Sequence, residues 1–252
     1  MKKWACEISY DGTGFAGYQV QPGKRTVQLE LETALKKIHK GFEQRVHSSG
    51  RTDAGVHAIG QVFHFDSSLQ LTDERWKKAL NALLPADVRV RKATEVATDF
   101  HARYSAVSKQ YHYRMLLGAE GDVFRRKYTY HIPTDLNIAA MKEAALHIVG
   151  EHDFSAFCAS NTSVVDKVRT VTMVEFVHVG DELLFKVEGN GFLYNMVRII
   201  VGTLVEVGQG KREPKELKEI IDGMDRTKAG KTAPGHGLYL YRVNYEPAIF
   251  KG

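Results

Sequence analysis

Cysteine is scarce in this chain of 252 residues: there are two, Cys6 and Cys158. One possible pair cannot make the disulfide framework that staples small secreted domains. The eleven histidines contain no H-x-H or H-E-x-x-H pattern and no cluster with cysteine, so spacing points to no metal site. No G-x-S-x-G occurs, which excludes a hydrolase nucleophile elbow. Long apolar runs are missing too. The run from Ile199 to Val205 is closed by Arg198 and Glu206, far short of a membrane span. At the N-terminus, Lys2 and Lys3 lead into Glu7 before an apolar segment can form, so no signal peptide is expected. These absences together predict a cytoplasmic protein in a reducing compartment, with no membrane partner.

What is present is ordinary for a globular protein: 43% hydrophobic and 26% charged residues, enough apolar material to exclude disorder. Surface scaling puts nearly three quarters of the unfolded surface out of water, about 30,000 Å², so the core needs no staples. The length suits one large domain or two small ones. Lys plus Arg number 35 and Asp plus Glu 30, a net charge of +5. That excess suits a polyanionic partner such as nucleic acid, although a slightly basic cytosolic protein needs no partner to explain it.

The pattern along the chain reads twice in the same order. Trp4 to Tyr10 is a strand, followed by a Gly-rich loop to about Arg25. Val27, Leu31, Ala34, Leu35 and Ile38 recur at helical spacing, with Thr26 as N-cap and Gly41 as stop. Arg45 to Ser48 is a short strand, and Ile59, Gln61, Phe63 and Phe65 share one face of the next. Trp76, Ala79, Leu80 and Leu83 mark a second helix ended by Pro85, and Val88 to Val96 is a strand. In the later half, Ser105 to Leu117 is a strand and Met141, Ala144, Ala145 and Ile148 mark a helix ended by Gly150. Arg169 to Val179 and Glu182 to Glu188 pair across Gly180-Asp181. Met196, Val197, Ile200, Leu204 and Val207 make an apolar helix, a short helix follows Pro214, and Leu238 to Tyr245 is the last strand. The expectation is an α+β fold. Two ferredoxin-like (RRM-like) βαββαβ halves, 1–104 and 105–252, would pack around a mixed or antiparallel central sheet with a basic cleft.

Two phosphate-loop patterns fail. Gly12-Thr13-Gly14-Phe15-Ala16-Gly17 matches G-x-G-x-x-G, but Gln21, Pro22 and Gly23 continue the loop where a dinucleotide fold would start a helix. Gly230-Lys231-Thr232 lacks its upstream glycine, since Asp225 stands there. His57, His64, His101 and His112 read as solvated or core-satisfied imidazoles.

Three segments carry chemistry. Gly50-Arg51-Thr52-Asp53-Ala54-Gly55-Val56-His57-Ala58 lies between two strands. A lone Asp in a loop is commonly a turn former. Here two glycines allow a tight backbone, and Arg51 stands two residues before Asp53. A carboxylate near arginines stays ionised even when partly buried, which suits a nucleophile. In Lys109-Gln110-Tyr111-His112-Tyr113-Arg114, the two tyrosines fall on one face and His112 and Arg114 on the other. Tyrosines among basic residues suit base stacking, but the hexapeptide alone is better explained as a half-buried strand with surface charges. In the run from Phe192 to Gly202, Arg198 is set among apolar residues. It is either a snorkelling surface side chain or a paired cation.

The segment Gly50 to Ala58 resembles the signature of the TruA-type tRNA pseudouridine synthases. So do Tyr10 to Gln19, the Lys109/Tyr111/Tyr113 strand, the Phe192 to Gly202 helix and the closing Gly237-Leu238-Tyr239-Leu240. These blocks stand in the family's order across nearly the whole chain. Tyr18 departs from the Trp that many members carry there. The resemblance implies two related halves around a central sheet with a basic cleft, and a homodimer without metal or organic cofactor. Its substrate would be the anticodon arm of tRNA, with uridine isomerised to pseudouridine at positions 38, 39 and 40. It implies Asp53 as nucleophile, Tyr111 as the aromatic packing on the target uracil and Arg198 as the basic partner of the aspartate. Arg51 would help hold the flipped-out nucleotide. The aspartate could add to the sugar, take its 2′ proton to give a glycal, or attack C6 of the base. Tyr111 is a candidate to take the C5 proton. The rival reading is a non-catalytic RRM-like RNA-binding protein.

Overall fold

The computed structural model describes residues 1–159 and 164–250. Contacts divide the chain into two compact units, Met1–Lys109 with Tyr239–Gly252, and Gln110–Leu238.

The first unit runs β1 (Lys2–Tyr10), α1 (Val27–Ile38), β2 (His47–Ser48), β3 (His57–Ser67), α2 (Asp73–Leu83) and β4 (Val88–Val96). Strands β4, β1 and β3 lie side by side, and β2 pairs with β3. Every one of these pairings is antiparallel, so the βαββαβ order of the sequence becomes a ferredoxin-like sheet. Thr26 and Thr72 start the helices by accepting from the amides of Leu29 and Arg75. Such caps satisfy donors that the helix itself cannot. Val27, Leu31, Ala34 and Leu35 form the buried stripe of α1. The core is aromatic: the Trp76 ring of α2 lies 5.8 Å from Trp4 and 5.0 Å from Phe65.

Ile59 departs from expectation. It is 45% exposed, whereas Gln61, Phe63 and Phe65 are fully buried. The cause is a bulge. Ile8 pairs with Gln61 and Tyr10 with Ala58, so β3 holds an extra residue here and the alternation of faces is broken. Gly60 sits at this bulge because a Cβ there would lie 2.6 Å from the Tyr241 carbonyl.

Strand β5 (Ala106–Leu117) carries the chain into the second unit. There follow β6 (Tyr130–Ile132), α3 (Ile138–Leu146), β7 (Gly150–Asp153), β8 (Val168–Val179), β9 (Glu182–Gly189), α4 (Met196–Gly208) and α5 (Glu216–Gly223). The strand order is β5-β9-β8-β7, with β6 parallel to β5. The β8–β9 hairpin turns at Gly180 as expected, with φ +61°. The short strands β6 and β7 were not foreseen. Helix α4 is buried except at Arg198 and Glu206, as its continuous apolar sequence requires. The last strand, β10 (Leu238–Tyr245), returns the chain to the first unit and pairs in parallel with β3 through Tyr239 with His57 and Leu240 with Ala58. Among the described residues no helix is long and apolar enough to cross a membrane.

Candidate active site

In the first unit, the loop from Ser49 to Val56 is held almost entirely through its backbone. The Ser49 amide donates to Val62 O at 2.7 Å, and Lys109 Nζ donates to Ser49 O at 2.6 Å. Gln61, fully buried, accepts from Ser49 Oγ at 2.5 Å and donates to Gly50 O at 2.8 Å. Further along, Thr52 O accepts the Tyr18 amide at 2.9 Å, and Thr52 Oγ1 meets the Tyr10 hydroxyl at 2.7 Å. Burial, partly offset by the Thr52 and Gln61 hydrogen bonds, pushes the Tyr10 phenol up to about 12, so it stays a neutral support. The Val56 amide closes the turn onto Asp53 O at 3.2 Å.

The glycines rejected above as a dinucleotide loop have their reason here. A Cβ on Gly12 would stand 2.1 Å from Val56 O, and one on Gly17 2.9 Å from Thr52 O. Gly17 also has φ +104°, which side chains with a Cβ rarely adopt. The segment after β1 is therefore a backbone seat for the Asp53 loop. His57 locks the seat from the other end. Its Nδ1 accepts the Gly12 amide at 3.0 Å, and its ring stacks on Tyr239 at 4.7 Å. His57 and His64 are buried imidazoles with backbone donors, as read from sequence. On this loop Asp53 is half-buried and Arg51 exposed. The sequence flagged the Asp53 loop; the seat beneath it was missed, and the only signal was the cluster of glycines.

The second unit carries the other two candidates. Tyr111 and Tyr113 do share a buried face of β5, with 8% and 0% of their surface exposed. They differ in setting. Tyr113 is core: its hydroxyl donates to Pro234 O at 2.7 Å, and Gly237 packs on its ring. Tyr111 meets Phe192 edge-on, with ring centroids 5.1 Å apart. Arg198 is half-buried on the first turn of α4. Its Nε donates to Ala233 O at 2.8 Å and its Nη1 to Asn195 Oδ1 at 2.7 Å. Asn195 precedes α4 with φ +61°, which aims its amide at this guanidinium. The Gly230-Lys231-Thr232 segment, no phosphate loop, docks along α4: a Cβ on Gly202 would stand 1.7 Å from Lys231 O. That docking brings Ala233 to Arg198, a partner that no sequence pattern marks. Arg198 is thus an anchored cation. Its charge reaches Tyr113 and His236, whose imidazole is held below the usual range chiefly by burial. Among the described residues no group of three or more His, Cys, Asp or Glu side chains is arranged to hold a metal.

A sequence profile of tRNA pseudouridine synthases matches residues 7–105 and 144–246. The chain is 58% identical to tRNA pseudouridine synthase A of Anoxybacillus flavithermus, over 98% of this chain and 100% of that protein. It is 57% identical to tRNA pseudouridine synthase A of Halalkalibacterium halodurans, over 97% and 93%. The chain belongs to the tRNA pseudouridine synthase family. Among solved structures, the archaeal box H/ACA sRNP Nop10-Cbf5 complex matches with a TM-score of 0.37 and 13% identity, over 80% of this chain and 43% of that one.

Proposed function

We propose that this enzyme isomerises uridine to pseudouridine in the anticodon arm of tRNA, at positions 38, 39 and 40, with Asp53 as the nucleophile. Membership of the family supports the isomerisation and favours it over an RRM-like protein that only binds. The observation that carries the residue assignment is the Asp53 loop. Its backbone is fixed by Gly12, Gly17, Gln61 and Lys109, so the half-buried carboxylate is presented without needing rearrangement.

The reaction breaks the N1–C1′ bond, turns the uracil and joins C5 to C1′. The proton on C5 leaves, and N1 ends protonated, so the product has the composition of the reactant. No oxidant and no ATP is required by that balance. The target must first leave its stack, which costs a few kcal/mol. Asp53 acts by adding to C1′, by removing the 2′ proton, or by adding to C6. Each route needs the ionised carboxylate. A glycosidase uses two carboxylates to bring in water; a single one fits a reaction that retains its base. In this reading Arg198 supplies the cation that keeps Asp53 ionised, Tyr111 packs on the uracil and is the candidate to receive the C5 proton, and Arg51 holds the flipped nucleotide. The enzyme works as a homodimer in the cytoplasm.

The test is tritium release from tRNA transcripts labelled at C5 of uridine, each with one uridine at position 38, 39 or 40. Release from all three is expected. Binding without release would favour the non-catalytic reading, and release from other positions only would overturn the anticodon-arm assignment. Light scattering of the purified protein should give twice the chain mass; a monomer mass would overturn the homodimer.

A further inference from the structure

A column of rings climbs from the core of the first unit to its surface. His64, on β3, is 4% exposed, and its Nδ1 accepts the Ala102 amide at 3.1 Å. His47 pairs across from it on β2 and stacks on it at 5.0 Å. His101 meets His64 edge-on at 4.7 Å. Outermost is Tyr104, whose ring lies 4.4 Å from His101 and which is 77% exposed. The Arg103 guanidinium stands 5.7 Å from the Tyr104 ring centre.

The charges that act on the two inner histidines of this column are cationic. Burial, then the neighbouring histidines and Lys3, press the His64 pKa down to about 3, and burial, His47, Lys3 and Arg103 lower that of His101. His64 and His101 therefore remain neutral near pH 7 and stack with their neighbours instead of repelling them. No carboxylate acts on either histidine, and none pairs with Arg103 among the described residues. An exposed aromatic face with a cationic rim fits a base together with its phosphate. A second copy of this chain, at +5, is a poorer match by charge.

We propose that Tyr104, backed by His101 and rimmed by Arg103 and Lys3, is a second RNA contact on which an unpaired base of the substrate stacks. This rests on the function proposed above.

The experiment measures the Kd of an unmodified full-length tRNA transcript for wild type, Tyr104→Ala, Tyr104→Phe and Arg103→Ala, from 50 to 200 mM salt. Single-turnover tritium release at saturating enzyme is measured alongside. Tyr104→Ala should weaken binding at least about fivefold, the lower end of what a stacked base contributes. Tyr104→Phe should stay within about twofold of wild type. Arg103→Ala should weaken binding about threefold and lower the salt slope by about one. The saturating rate should not change. Wild-type affinity for Tyr104→Ala overturns the proposal, as does equal damage by Phe and Ala, which would make the hydroxyl the contact. A change in oligomeric state in place of RNA affinity would reassign the surface to protein. Should Tyr104→Ala not fold, Arg103→Ala decides the question: wild-type affinity with an unchanged salt slope overturns the proposal. If wild type binds but releases no tritium, the function reading fails; if wild type is active and Tyr104→Ala binds normally, only this inference fails.

Discussion

The Asp53 loop and the Arg198 site are built by opposite means. In the first unit the carboxylate is placed by main chain packed against main chain, with glycines at the closest approaches, Gly12 to Val56 O and Gly17 to Thr52 O. In the second unit the cation is placed by its own side chain, through hydrogen bonds to Ala233 O and Asn195 Oδ1. A short side chain such as Asp has little reach, so the backbone must carry it into position. A long Arg has rotamer freedom, which its two bonds remove. The lesson is that the two sites should fail differently: the first by the addition of an atom beneath it, the second by the loss of donors from the side chain itself.

After the aspartate itself, the largest effect should come from the cation. Arg198→Met is expected to lower the single-turnover rate at least a hundredfold at neutral pH. On the proposed pairing, loss of the neighbouring cation raises the Asp53 pKa. Less carboxylate is then ionised at a given pH, so residual activity should recover as pH rises. Arg198→Lys should rescue in part, because an ammonium cannot reproduce the planar fork. A Met variant with wild-type rate and an unmoved acid limb would remove Arg198 from the site.

Next come the glycines of the seat. Gly17→Ala must displace the Thr52 carbonyl and strain a backbone with positive φ. It should slow the reaction at least tenfold while tRNA affinity stays within about threefold, since phosphate contacts dominate binding. Wild-type turnover in Gly17→Ala would show that the loop is not seated as described.

Gly202→Ala is the matching perturbation in the second unit, where a Cβ meets Lys231 O. Overpacking a buried helix of this kind costs about 1–3 kcal/mol, so thermal unfolding should move down by several degrees. An unchanged Tm would contradict the docking of the 230–233 segment on α4.

A pH dependence of stability is expected in the first unit. The folded-state pKa of His64 is about 3, and that of an unfolded histidine is about 6.5. Between these values the unfolded chain binds a proton that the folded chain does not. Stability is therefore full above about pH 6.5 and falls as pH drops through this window, by at most about 1.4 kcal/mol per pH unit for this one group. His64→Gln should flatten the dependence of Tm on pH between 6 and 4. An unaltered slope would place the titration elsewhere.

Much of the fold was legible because its signals are local. Thr26 capped α1 as read, Val88–Val96 and Leu238–Tyr245 are strands with those limits, and the hairpin turns at Gly180. What escaped depends on distant partners. Strand β6 has three residues and β7 four, too few for any periodicity to show. The bulge that turns Ile59 outward is defined by register against β1, which is not written in β3 alone. The parallel pairing of β10 with β3 rests on Tyr239 and Leu240, residues that look the same in any buried strand. Among the candidate residues, Asp53 and Arg51 were marked by an unusual loop and Arg198 by an apolar surround. The anchors Ala233 and Asn195, the Gln61 bridge and the seat of glycines are juxtapositions, visible only once the chain is folded.

The central claim, that a backbone-seated Asp53 carries the chemistry, is tested most directly by Asp53→Asn, which keeps shape and removes charge. Tritium release under single-turnover conditions and filter binding of the same tRNA should be measured side by side. The prediction is a rate reduced at least a thousandfold with affinity within about threefold of wild type. A rate within tenfold of wild type would contradict the claim and remove Asp53 from the nucleophile role.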